Sequence, residues 1–323
     1  MAVCVQASME SSSSKENREH LSWRDLVEVI FTKFVTGPPE KEEVPLPQPM
    51  KVIGAGLGRT GTSSFVVALQ RLGLKSYHFQ DGVVDTPGHV DIFLRHAIAI
   101  VHQNGRGNVG EIIQGISMAG FNATADYPTC LLYRELMEEY PNALVVLTVR
   151  GGGNEQEEAL SWAESMETVL HASHVTGKRM PWRWLLRKFH QLGEWYLPKV
   201  PWDPNTKLPE KNAMAMAYLE HNQQVQNTVP PERLLTFRAR DGWKPLCDFL
   251  SPVDPIVWEN CQTLVGTPYP WVNDKDEIAR AELVFWTVAV AFEGILWLLG
   301  FALIWFLSRQ LRRGTTRDRS KED

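Results

Sequence analysis

Apolar positions change their spacing several times along this chain, and each change marks an element. Trp23, Leu26, Val27, Ile30, Phe31 and Phe34 recur at intervals of three and four, which predicts an amphipathic helix over residues 21–36. Gly37-Pro38-Pro39 ends it, and the proline- and acid-rich residues 37–50 read as a linker. From residue 51 onward, short unbroken apolar runs alternate with stretches of helical spacing. Residues 51–55 (KVIGA), 76–79, 121–125, 143–149 (ALVVLTV) and 234–237 read as buried strands. Helices are expected at 62–72, across 89–119 with a break at 105–110, at 128–140 and at 243–250. Strand and helix in alternation predict an α/β fold, a parallel sheet flanked by helices on both faces, over residues 51–275.

Two stretches depart from the alternation. Residues 159–228 read as a helical insertion carrying Trp162, Trp182, Trp184, Trp195 and Trp202 together with Arg179, Arg183, Arg187, Lys188 and Lys199. That insertion fits an extra layer packed on the sheet, a lid or a membrane-facing surface. Residues 283–307 form a 25-residue apolar run with one charge, Glu293. At 1.5 Å per residue it would extend ~37 Å, enough for a hydrocarbon core of ~30 Å. One transmembrane helix is expected there, with a basic tail at 308–323 and a disordered leader at 1–20.

Composition narrows the classes. With 323 residues, 44% hydrophobic and 22% charged, the chain is neither disordered nor a disulfide-stapled miniature. A mean hydropathy of -0.22 excludes a multi-span membrane protein. The net charge of -5 and the lack of basic runs with interleaved aromatics exclude a general nucleic-acid surface. Cys4, Cys130, Cys247 and Cys261 show no metal or redox spacing and are expected to be reduced thiols. No signal-peptide pattern opens the chain. A single span near the C-terminus then reads as a tail anchor with the large domain facing the cytosol, although the tail's six positives against three acids would by themselves put the tail there.

The densest chemistry lies in Gly54-Ala55-Gly56-Leu57-Gly58-Arg59-Thr60-Gly61-Thr62-Ser63-Ser64, between a strand and a helix. That is the context of a phosphate cradle, in which glycines let the backbone approach and helix N-terminal N–H groups meet the anion. Three readings compete. Gly56, Gly58 and Gly61 match G-x-G-x-x-G, with Asp81 as the ribose acid of a dinucleotide fold. Gly56 and Gly61 also frame a Walker-type loop, but Thr62 stands where its lysine belongs, and the strand at 143–149 runs into Arg150 rather than an acid. In the third reading Arg59, the loop amides and the hydroxyls hold a 5'-phosphate region with no metal.

That third pattern is the loop of sulfotransferases, with arginine where those usually carry lysine. The chain resembles the P-loop sulfotransferase-like family in VIGAGLGRTGTSS, SYHF, ADYPTCLLYRELMEEYPNALVVLTVR, Trp162-Ala163-Glu164-Ser165 and PPERLLTFRARDGWKPLCDFL. The resemblance implies 3'-phosphoadenosine 5'-phosphosulfate as the donor and no metal. It implies donor contacts from Gly58, Arg59, Thr60, Gly61, Thr62, Ser63 and Ser64, and a 3'-phosphate held by Arg150 and Ser165. Here Gly151 to Glu158 lengthens the usual connection between that arginine and serine. Arg59 is also expected to act on the leaving phosphate.

The acceptor's proton needs a base. Asp126, ahead of Tyr127-Pro128, occupies the place in chain order where the cytosolic members have a histidine; it reads either as that base or as a helix N-cap. His78 in SYHF is the other candidate. The remaining histidines show no ligand spacing, and the sequon Asn122-Ala123-Thr124 falls in an expected strand. The reading is a membrane-anchored sulfotransferase acting on a small-molecule, lipid or carbohydrate hydroxyl or amine. Its alternatives are a nicotinamide-dependent oxidoreductase and a non-catalytic nucleotide-binding scaffold. The sequence specifies no oligomeric state.

Overall fold

The structure is a computed structural model that describes residues 47–84, 86–103, 107–177, 192, 200, 201, 203, 208–272 and 275–319. The expected leader, the helix at 21–36, most of the linker, Trp182, Trp184, Trp195, Trp202 and the cations from Arg179 to Lys199 lie outside those residues.

Five strands form one sheet in the order β2-β3-β1-β4-β5, and every neighbouring pair is parallel. They are β1 (Val52–Gly54), β2 (Ser76–Tyr77), β3 (Ala123–Thr124), β4 (Leu144–Thr148) and β5 (Leu234–Phe237). Side chains alternate across the sheet as the two-residue period requires. Val52 and Val146 face a core built with Phe65, Leu69 and Leu246. Ile53, Val145 and Leu147 face the opposite core with Phe93, Ile112, Leu136, Trp162 and Tyr218. Burial on both faces is why these strands read as unbroken apolar runs.

Helices α1 (Thr62–Arg71), α7 (Trp243–Leu250) and α8 (Pro255–Leu264) cover the first face. The second is covered by α2 (His89–Gln103), α3 (Val109–Met118), α4 (Tyr133–Glu139), α5 (Glu155–Gly177) and α6 (Lys211–Thr228). Local chemistry sets several ends. Asn108 caps α3 by accepting from the Glu111 N–H, and Asp254 caps α8 ahead of Pro255 while pairing with Lys51 beside β1.

Three expectations are corrected. The second strand is shorter than 76–79 because a π-helical turn, Phe79–Val84, takes over at once. The helix expected from Pro128 opens as a 3-10 turn, Thr129–Leu132, before α4. Cys247 and Cys261 are not reduced thiols: they are joined as a disulfide, because consecutive helices α7 and α8 bring their Cα atoms to 5.5 Å. Cys130 is free and buried.

The last element, α9 (Lys275–Arg319), is one 45-residue helix that contains the apolar run. Its segment Trp286–Arg309, of mean hydropathy 2.1, is long and apolar enough to cross a membrane, and most of its large side chains are exposed. α9 lies against α5, and Ala289 within it is fully buried.

Candidate active site

The turn between β1 and α1 is held from behind. A Cβ on Gly56 would lie 1.9 Å from Thr148 Oγ1 and 2.6 Å from the Thr148 carbonyl, so only glycine lets β4 pass this close. The turn's carbonyls are engaged one after another. His221 Nε2 lies 2.7 Å from the Ala55 oxygen, Thr60 Oγ1 donates to Leu57 at 2.6 Å, Trp162 Nε1 to Gly58 at 2.7 Å, and Arg150 Nη1 to Arg59 at 3.0 Å. Burial lowers the pKa of His221 against the opposing pull of its Ala55 contact, and because a carbonyl oxygen only accepts, Nε2 is the donor here. With these carbonyl oxygens committed, the loop's backbone can offer its amides to an anion. Gly61, at φ 92°, begins α1; no side chain caps that helix and its first turn holds no acid. The positive end of α1 is thus open to a negative ligand.

Beside this turn lies a cavity of about 420 Å³ at the C-terminal ends of β1, β4 and β5. Arg59, Thr60, Gly61, Thr62, Ser63, Ser64, Arg150 and Ser165, eight of the expected donor contacts, line it together; Gly58 is not among the lining residues, and its carbonyl accepts from Trp162. The glycine-rich 151–153 stretch lets α5 fold back over the turn. Trp162 and Ser165, one helical turn apart, then clamp consecutive loop residues: Arg59 Nε donates to Ser165 Oγ at 3.2 Å. Two hydroxyls have other duties as well. Thr60 also meets Thr148 Oγ1 at 2.7 Å, and Ser64 Oγ accepts from the Val272 N–H at 3.0 Å.

Arg238, Arg240 and Trp271 also line the cavity and were not singled out in the sequence. The available signal was position, since Arg238 directly follows β5 just as Val149-Arg150 follows β4. Arg238 Nε donates to the Arg150 carbonyl at 3.3 Å and sits 3.5 Å from buried Glu158. The Arg240 guanidinium occupies the space a Cβ on Gly151 would need. Among the described lining residues are four guanidinium groups and no carboxylate. Burial, and then the neighbouring Arg150, lower the Arg59 pKa, with Asp126 opposing. Two cations held this close with both still charged form a site that an anion relieves.

His78 and Asp126 end β2 and β3, on the other side of β1 from those arginines, and neither is among the lining residues. His78 Nε2 is 2.9 Å from Asp126 Oδ2, and Thr62 Oγ1 donates to the same oxygen at 3.2 Å, which links the pair to the glycine-rich turn. Asp126 Oδ1 accepts the Tyr127 N–H at 2.6 Å. Burial alone would raise the Asp126 pKa, but the bonds from His78, Tyr127 and Thr62 outweigh it and hold the carboxyl below its usual range. The N-cap alternative does not describe this geometry, because the Cys130 N–H bonds the Asp126 backbone oxygen and not its carboxylate.

The strand order also bears on the dinucleotide reading. In that fold β2 lies beside β1, which puts the acid after β2 within reach of a ribose on the glycine turn. Here β3 separates them, and Asp81, in the turn after β2, is on the far side of it.

The sulfotransferase-domain family model matches residues 51–278. This chain belongs to that family. It is also 33% identical over 210 residues, 62% of its length and 76% of the relative's, to the Ava biosynthesis cluster protein M of Aspergillus versicolor.

Proposed function

We propose that this protein transfers a sulfuryl group from 3'-phosphoadenosine 5'-phosphosulfate to a hydroxyl or amine, with α9 as a single membrane anchor. The observation that carries the reading is the cavity at the ends of β1, β4 and β5, where four arginines, four loop hydroxyls and the open N-terminus of α1 converge. A single phosphate does not need that much positive charge. A donor with separate 5'-phosphosulfate and 3'-phosphate groups does.

The division of labour follows the strand order. Arg59, Thr62, Ser63 and the first turn of α1 hold the 5' side, and Arg150, Ser165, Arg238 and Arg240 the 3' side. Both carboxylate oxygens of Asp126 are engaged, which suits it to orient His78 rather than to accept a proton itself. His78 then takes the proton as the acceptor oxygen or nitrogen bonds to sulfur and the bond from sulfur to the 5'-phosphate oxygen breaks. Arg59 and the loop amides stabilise the charge that develops on that leaving phosphate. A relative named for a biosynthesis cluster accords with a small-molecule acceptor. An apolar helix of membrane-spanning length keeps a lipid acceptor in the same proposal.

Calorimetry on the full chain tests the donor assignment. Adenosine 3',5'-bisphosphate should bind saturably and NAD should not. Tight NAD binding would restore the oxidoreductase alternative.

A further inference from the structure

The two flanks of the apolar run in α9 differ in positive charge. The sixteen residues before Leu283 carry two Lys or Arg, Lys275 and Arg280, and the sixteen after Leu307 carry six, from Arg309 to Lys321. Acids count for little in this bias, so the comparison is six against two and puts the tail on the cytosolic face. Arg309 lies over the Trp305 ring at 5.2 Å, a cation paired with an interfacial aromatic at the tail end of the run.

A second feature registers the other side. Cys247 and Cys261 are cross-linked with 3% and 1% of their surfaces exposed, among Phe65, Leu69, Trp243 and Leu250. Neither cysteine lines the cavity. A bond in that position is closed to solvent thiols in the folded chain, which makes it a structural cross-link and not a catalytic or switching one. Structural cross-links form and persist in oxidising surroundings, whereas cytosolic glutathione and thioredoxin keep such pairs reduced.

The basic tail and the disulfide lie on opposite sides of the apolar run and report independently, yet they give one orientation. We propose that α9 is inserted with its basic tail in the cytosol and the sulfotransferase domain on the opposite, oxidising side of the membrane, an inference that rests on the reading of α9 as an anchor. It reverses the cytosol-facing arrangement expected from the sequence. The size of the domain is no obstacle, since long domains cross a membrane largely regardless of their charge. The acceptor hydroxyl or amine is then met on the side away from the cytosol.

The test uses the full chain with an epitope at each end, in sealed microsomes from cells that express it. Protease added outside should remove the C-terminal epitope and leave the domain and its N-terminal epitope intact until detergent opens the vesicles. In the same membranes, free thiols are blocked with N-ethylmaleimide in denaturant, disulfides are reduced, and the thiols so released are labelled with a polyethylene-glycol maleimide. Two additions per chain are expected, and none in the double variant Cys247→Ser, Cys261→Ser. If that variant fails to fold, the parent's additions and protease pattern still decide. Loss of the N-terminal epitope without detergent overturns the inference, and so do fewer than two additions in the parent. A chain that stays in the pellet under carbonate extraction with its domain digested overturns the orientation alone. A chain that leaves the pellet overturns the anchor reading and takes this one with it.

Discussion

Arg59 and Asp126 hold their backbones at φ 70° and 67°, the two residues other than glycine with positive φ among those described. Each such conformation costs an L-residue roughly 1–2 kcal/mol. That both strained positions fall at the candidate site is an observation from which function can be argued. Arg59→Gly should therefore melt no lower than Arg59→Ala, because glycine releases the strain that alanine keeps. Both should lose about 10- to 100-fold in affinity for adenosine 3',5'-bisphosphate, the weight of a charge-assisted hydrogen bond. A glycine variant that melts below the alanine one would count against strain at this residue.

The same scale decides the base. Asp126→Asn and His78→Ala should each lower kcat by about 10²- to 10⁴-fold with donor affinity nearly unchanged, and the double variant should be little worse than either. Full activity in Asp126→Asn would remove the carboxylate from the mechanism. Because the Asp126 carboxyl titrates below its unfolded value of about 3.9, its contribution to stability is present above that pH and is lost as the pH falls through the folded value. The melting temperatures of the parent and Asp126→Asn should thus differ at neutral pH and converge in strong acid.

At the level of elements, the five strands, the glycine-rich turn and α7 were legible because unbroken apolar runs, a phosphate-loop pattern and amphipathic spacing are local signals. Strand order was not, since burial on both faces says nothing of which neighbour a strand takes. Arg238, Arg240 and Trp271 went unseen for a related reason: they meet Arg59 only because β5 lies beside β4 and the segment after α8 returns to α1. Cys247 and Cys261 carry no motif spacing, and their pairing is a product of how α7 and α8 pack. Two predictions belong here. Gly56→Ala forces its Cβ into β4 backbone and should cost about 1–3 kcal/mol by thermal denaturation, with donor affinity falling as the loop shifts. Cys247→Ser removes a cross-link over a 14-residue separation and should lower the stability of the oxidised protein by about 3 kcal/mol, a gap that reductant abolishes.

The whole molecule is acidic, at -5, yet four arginines gather at one cavity. Affinity for a highly anionic donor should accordingly fall as salt screens that local charge. The apolar segment of α9 predicts that the full chain stays in the membrane pellet after carbonate extraction, and that a chain ending at residue 281 is released. The most direct measurement is transfer of label from 3'-phosphoadenosine 5'-[³⁵S]phosphosulfate by the full chain, with lipid and metabolite extracts as the acceptor pool. The account predicts a labelled product, matched by release of adenosine 3',5'-bisphosphate and formed about 10²- to 10⁴-fold more slowly in Asp126→Asn. Binding of the bisphosphate with no transfer to any acceptor would contradict it and leave a nucleotide-binding scaffold in its place.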